Sequence, residues 1–352
     1  MNERAKLIWI DAAKGLSVAL LVCMHTNAIF QNRMSPSNPG VTWWILCFIN
    51  TACRVCIPLF FMLSGAVILG APEKSLIDRK YVRRVGRTLI PFVFWSLAYL
   101  LVYRLTANRM PTLNDVVGIV TGKVHYHLWF LSSLTGLLII SPMLNSYVCA
   151  TGNKGALILG CLLLSVVGTA WVLENSIKFQ IEPNLTRVLP VYSGYFVIGY
   201  ALRDFPVTKT KKLIVAATYL VGLVVCAILA RSVNSRASQF DGLIGDYLNP
   251  LVMIMSIAMF LLLRPLESAI EVQHSGRVTT FFAWLGVASL GTYALHVMIL
   301  DNFLQFAFIY NRLGFRRLPN VAIVLIVTLI VTAVSSGLSI LARRVPVLQR
   351  LA

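Results

Sequence analysis

The sequence predicts an all-α fold, a polytopic membrane helical bundle of about ten transmembrane helices with both termini cytoplasmic. Hydrophobic residues make up 58% of the 352 positions and charged residues only 12%, against roughly 25% charged in soluble globular proteins. The apolar residues also gather in successive stretches of about twenty, the number that about 30 Å of hydrocarbon requires at 1.5 Å per residue. The placement of Lys and Arg supplies the orientation. With the N-terminus inside, the larger share of them falls on inner segments, and the 71–87 connection alone carries Lys74, Arg79, Lys80, Arg83, Arg84 and Arg87. Such a bias orients membrane proteins, although the outer loop near Arg316 is basic too.

In chain order the spans are read over residues 8–30, 42–70, 88–105, 126–149, 155–173, 187–203, 212–230, 247–263, 279–301 and 319–342. The first is too long and too charged for a removable signal peptide, and no small-residue cleavage site stands out. In the second, Pro58 lies four residues after Arg54. Proline has no N–H to give the carbonyl four residues back, so a kink is expected at Arg54. The third follows the basic connection, the fourth opens with "YHLWFL", and the ninth contains "SLGTYALH". Connections reach only about twenty residues by the same reading, so residues 1–352 form a single transmembrane domain with no separate soluble part.

A net charge of +18 raises the question of nucleic acid. Its distribution on connections between spans answers with topology instead, so the expected partner is the lipid bilayer and not nucleic acid. The seven cysteines lie in or beside spans, where Cys serves as a small apolar residue. Cys53 and Cys56 have C-x-x-C spacing, but no second pair accompanies them, and no metal site is expected.

The first span, "IDAAKGLSVALLVCMHTN" over residues 10–27, holds Asp11, Lys14 and His25 among apolar residues. Each ionisable side chain in such a helix costs about 2.5–3.5 kcal/mol on insertion scales. Asp11 and Lys14 stand at the i, i+3 spacing that lets side chains meet. Three turns take about 10.8 residues, so Lys14 and His25, eleven apart, share a face about 16 Å apart along the axis. The plain alternative is a snorkelling Asp–Lys pair with a satisfied buried His. Arg54, His127, Trp129, Tyr293 and His296 add further polar groups to other spans. With the assigned orientation the histidines fall in the outer half, and Asp11, Lys14 and the basic connection on the inner side. Together they outline a path across the bilayer, which is read as a functional site.

The chain resembles the acyltransferase family 3 membrane proteins. The family's first-helix pattern of a basic residue, ten residues and a histidine is met by Lys14 and His25, with Asp11 at its acidic position. Its Arg-x-x-Arg motif is met by Arg84 and Arg87, followed by "IPFVFW". "PLFFMLSG", "HLWFL" and "SLGTYALH" are similar to family blocks, so the resemblance spans essentially the whole chain. Lys14 departs from the pattern, because arginine is commoner at that position. The chain also lacks the fused esterase-like domain of some members. The resemblance implies acyl-CoA, most simply acetyl-CoA, as donor and a glycan or lipid-linked saccharide hydroxyl as acceptor. It also implies ten spans in a bacterial cytoplasmic (inner) membrane.

For that chemistry His25 is the expected base, because imidazole titrates near working pH, and Asp11 and Lys14 complete the catalytic set. Arg54 and His127 are candidates for holding the tetrahedral oxyanion, and Trp129, Tyr293 and His296 for holding substrate. Arg84 and Arg87 offer planar forked donors to donor phosphates, with positive-inside topology as their plain alternative. His25 either carries the acyl group covalently, with ping-pong kinetics, or only removes a proton while both substrates are bound. The rival class is a secondary transporter with an intramembrane His/Asp/Arg pathway. Against it, neither an inverted repeat nor paired glycine-broken helices are evident. A third reading is an accessory subunit that merely binds lipid-linked sugar.

Overall fold

The structure is a computed structural model. It describes residues 3–32, 34, 39–71, 78–107, 112–121, 125–177, 191–235, 241–264, 277–305, 319–346 and 348–351. Lys74, Arg316 and the first residues of the expected 187–203 span lie outside the described residues. Within them the chain is all-helical, with no strand. The helices are α1 (Glu3–Gln31), α2 (Val41–Cys53), α3 (Cys56–Ile68), α4 (Arg79–Ala107), α5 (Leu113–Thr121), α6 (Trp129–Val172) and α7 (Ser193–Leu202). They continue with α8 (Lys209–Asn234), α9 (Pro250–Leu263), α10 (Arg277–Val287), α11 (Ser289–Gln305) and α12 (Asn320–Arg343). Short 3-10 turns follow at Leu243–Gly245 and Leu348–Arg350.

Seven described helices, taking α2 with α3 as one, are long and apolar enough to cross a membrane, or eight when the bent pair α10–α11 counts as a span. The expected figure of about ten is therefore not reached on length and composition, and the differences have local causes. The expected spans 126–149 and 155–173 fall within α6, whose 44 residues leave helical geometry only at Gly152, at φ 65° and ψ −166°. A straight helix of that length would run about 66 Å, twice the hydrocarbon thickness, so the break divides it. The expected span 187–203 retains only the ten residues of α7. The expected span 279–301 bends by 77° between α10 and α11.

Where Pro58 led a kink to be expected, the helix is interrupted. The chain leaves the helix between α2 and α3 at Arg54–Val55, where the Arg54 amide bonds the Thr51 carbonyl in a tightened turn.

Small residues set how closely the helices approach, as is usual where lipid supplies no hydrophobic drive between them. A Cβ on Gly15 of α1 would lie 1.8 Å from the Phe282 carbonyl oxygen of α10. One on Gly286 would lie 1.8 Å from the Asp11 carbonyl oxygen in return. Nothing larger than glycine fits at either point, so the two backbones touch beside the Asp11–Lys14 turn. The α10–α11 bend is fastened to α12, where the Ser339 hydroxyl donates to the Ala288 carbonyl at 3.1 Å and Arg343 donates to the Val287 carbonyl. Asp11, Gly286 and Arg343 therefore sit at one end of the bundle.

Candidate active site

At the opposite end from Asp11, four histidines from three segments meet. His25 comes from α1 and His296 from α11. His125 and His127 come from the tight turn before α6, which is closed by the Leu128 amide on the His125 carbonyl at 3.1 Å. The His25 ring lies 5.2 Å from His296 and 5.4 Å from Tyr126, and His127 lies 5.4 Å from His296, all between centroids. His25 is partly open, whereas His127 and His296 are buried. The rings pack on one another, and no group of three His, Cys, Asp or Glu among the described residues could hold a metal ion.

Hydrogen bonds constrain the protons. His296 Nδ1 lies 2.6 Å from the Tyr293 carbonyl. A carbonyl only accepts, so Nδ1 carries the hydrogen, and a neutral ring then presents a lone pair on Nε2. That Nε2 is buried without a partner, as is His127 Nε2. His125 and His127 share a contact of 3.0 Å between their Nδ1 atoms, so one donates to the other. Burial pushes the His125 imidazole below its ordinary range, which keeps it neutral near pH 7. When His125 is the donor, His127 holds its proton on Nε2 and offers an N–H.

Two tyrosines hold this layer together. Tyr293 donates its hydroxyl to the His127 carbonyl, tying α11 to the turn before α6. Tyr99 of α4 donates to the Ala294 carbonyl at 2.8 Å and accepts from the Met298 amide at 3.1 Å. Those two groups are four residues apart, so the hydroxyl is inserted into the hydrogen-bond ladder of α11 around His296. The Tyr99 ring also packs 4.6 Å from His125 and 5.0 Å from His127.

Arg54 stands beside this layer at the α2–α3 break, donating from Nε to Asn50 Oδ1 at 2.9 Å. It is within electrostatic reach of His25 and Asp246. The turn at Leu243–Gly245 wraps its guanidinium, since a Cβ on Gly245 would fall 2.5 Å from Arg54 Nε. Trp129, two residues after His127, packs on Tyr192 and Tyr247 at 5.3 and 5.8 Å.

The other end is basic. Lys14 Nζ and Asp11 Oδ1 form the expected pair at 3.5 Å, with both side chains about one third exposed. Arg87 borders two cavities. One, of about 280 Å³, is lined by Arg84, Arg87, Thr88 and Ser64 among others. The second, of about 770 Å³, is lined by Arg83, Arg87, Arg343 and Arg350 together with Gln349 and apolar residues.

Residues 7–340 match the family model for the Acyltransferase domain, the acyltransferase family 3. The chain belongs to that family. No curated protein and no solved structure matches it significantly. The family match supports a membrane acyltransferase over the transporter, for which nothing speaks beyond the buried polar residues.

For an acyltransferase of this family, the structure gathers the sequence-derived residues into two groups. His25, His127, Tyr293, His296 and Arg54 converge at one end, with Trp129 at their edge. Asp11, Lys14, Arg84 and Arg87 lie toward the other. Sequence reasoning missed His125, Tyr126 and Tyr99, and the 242–247 turn around Arg54. "HYHLWF" carried a signal for the first two, as aromatic and imidazole rings in consecutive positions. Glycines three apart before Asp246 marked the turn. Arg343 and Arg350 had no local signal.

Proposed function

We propose that this protein is an O-acyltransferase that moves an acyl group, most simply acetyl, from acyl-CoA to a hydroxyl of an extracytoplasmic or lipid-linked glycan. Within the family the reading favours the enterobacterial-common-antigen O-acetyltransferase type, on the stretches "RVCIPLFFMLSG" and "YHLWF". It includes a bacterial inner membrane, ten crossings and both termini in the cytoplasm. The observation that carries it is the division of the polar residues. Arginine-lined cavities lie at one end of the bundle, four histidines lie at the other, and α1 runs between them.

The chemistry follows from that division. Donor phosphates are held by Arg84 and Arg87, since guanidinium forks match phosphate oxygens. The thioester then extends along α1 past Lys14 toward His25. His25 takes the proton of the acceptor hydroxyl as its oxygen attacks the thioester carbonyl. The tetrahedral oxyanion is met by the Arg54 guanidinium and the His127 N–H, groups positioned before the charge develops. Collapse breaks the C–S bond, and His25 returns its proton to the departing thiolate, leaving an ester and free CoA. His296, whose ring lies 5.2 Å from that of His25, keeps a free lone pair on Nε2 as a second acceptor in this layer.

The test is incubation of the purified protein with labelled acetyl-CoA, with and without acceptor glycan. Mass spectrometry of surface glycans from cells with and without the protein accompanies it. The reading requires transfer of label and a mass difference of one acetyl group. A protein that moves solute across vesicles and never cleaves the thioester is a transporter. One that binds lipid-linked sugar and leaves acetyl-CoA intact is an accessory subunit.

A further inference from the structure

The larger basic cavity carries more charge than the Arg84–Arg87 motif accounts for. Four guanidinium groups converge on it from parts of the chain far apart in sequence, Arg83 and Arg87 from α4, Arg343 from the end of α12 and Arg350 from the C-terminal turn. No Asp or Glu is among its described lining residues. Like charges brought together repel, and inside-positive topology is satisfied by scattered residues as well as by clustered ones. Convergence therefore calls for an anion.

The convergence is also built. The C-terminal turn is closed by the Gln349 amide on the Val345 carbonyl and the Leu351 amide on the Leu348 carbonyl, each at 2.9 Å. Trp95 of α4 then donates from Nε1 to the Leu351 carbonyl at 3.0 Å, and Leu351 is buried. Arg350 is thus delivered to the face of α4 that carries Arg83 and Arg87. Arg343 is oriented by its bond to Val287 at the α10–α11 bend and has further N–H donors on the same planar group.

We propose that this cleft takes the nucleotide end of the donor, and that Arg343 and Arg350 read its 3′-phosphate. The proposal rests on the acyl-CoA reading and adds two residues and a specificity to it. Coenzyme A carries two phosphate groups on opposite sides of a ribose, a 3′-monoester and a 5′-diphosphate. The cleft is lined by two arginine sets, one from α4 and one from the C-terminal end of the chain. Its volume of about 770 Å³ lies within the range of small-molecule sites, about 300–1,000 Å³. Arg87 borders the smaller cavity as well, where Arg84, Thr88 and Ser64 line the way toward α3 and α6. The diphosphate therefore belongs at Arg87, with the rest of the donor leading inward. The 3′-phosphate then faces the C-terminal arginines.

The experiment measures binding of CoA and of dephospho-CoA, which lacks the 3′-phosphate. It uses the full-length protein in nanodiscs of phosphatidylcholine, and again in nanodiscs of phosphatidylglycerol. Wild type should prefer CoA by about tenfold, the scale of a charge-assisted contact to phosphate. Arg350→Ala and Arg343→Ala should each lower CoA affinity toward that of dephospho-CoA and leave dephospho-CoA binding unchanged. Arg350→Lys should recover part of the loss. Arg350 is exposed, so its variant keeps the test open even where Arg343→Ala disturbs the bend. Unchanged CoA affinity, or an equal loss for both ligands, overturns the assignment while leaving the donor reading intact. Loss of the CoA preference in phosphatidylglycerol discs also overturns it, because the arginines then serve a lipid headgroup. A wild type that binds neither ligand overturns the acyl-CoA reading itself.

Discussion

The two ends of the bundle solve different problems with different residues. At the basic end the charges are exposed or partly exposed, carried on long side chains, and collected around open cavities. At the histidine end most of the groups are buried imidazole and phenol rings, each held by a neighbour's ring or carbonyl, with Arg54 beside them. Guanidinium keeps its charge in any surroundings, so it suits gripping an anion in competition with water. Imidazole changes its charge readily, so it suits handling a proton where water is scarce. Under the proposed function, affinity and chemistry are separated along α1, and substitutions at the two ends should fail in different ways.

The largest effect is expected at the histidine end. His25→Ala should lower acetyl transfer by at least a hundredfold, since general-base catalysis is worth about 10²–10⁴, while leaving a monodisperse, inserted protein. Retention of more than roughly a tenth of wild-type transfer would remove His25 from the base role. The Asp11–Lys14 turn sharpens the comparison next, because it stands at the basic end on the same helix as His25. Lys14→Ala, and the exchange Asp11→Lys with Lys14→Asp, should each lose more than about tenfold in rate, whereas Lys14→Arg stays active. A structural ion pair has no preferred order, so an exchanged protein that works at the wild-type rate would make the pair purely structural.

Smaller effects are expected from the arginines. Arg84→Ala and Arg87→Ala should raise the KM for acetyl-CoA by about tenfold each, the worth of a charge-assisted contact, with little change in acceptor KM. Wild-type affinity in both variants would reduce the motif to a topology signal. The smallest change is expected from Tyr99→Phe. Its hydroxyl makes two bonds in the middle of α11, but the freed Ala294 carbonyl and Met298 amide are left as ordinary helical partners. Stability should fall by about 0.5–1.5 kcal/mol, read as a lower thermal midpoint, with transfer reduced only severalfold.

Legibility followed the range of the interaction. The Asp11–Lys14 pair and the break at Arg54 were readable because each depends on residues three or four apart. The membrane class was readable because it is compositional. The division of α6 was readable too, since the spans expected over 126–149 and 155–173 part at the short polar stretch around Gly152, although nothing in the sequence marks that glycine's φ of 65°. The histidine layer was half readable. His25, His127 and His296 could be placed at one depth, but only packing brings His125, Tyr126 and Tyr99 against them. The approach of Arg343 and Arg350 to α4 was invisible, because it hangs on a tryptophan–carbonyl bond spanning most of the chain.

The Tyr99 hydroxyl inside α11 also gives the molecule a scale of length. Arg87 and Tyr99 are twelve residues apart on one helix, about 18 Å at the standard rise. One is fixed at the mouth of the basic cavities, and the other is pinned into the backbone beside His296. α4 is thus a ruler whose two marks cannot slide, and under the donor reading it fixes how long a thioester arm must be for its carbonyl to arrive beside His25.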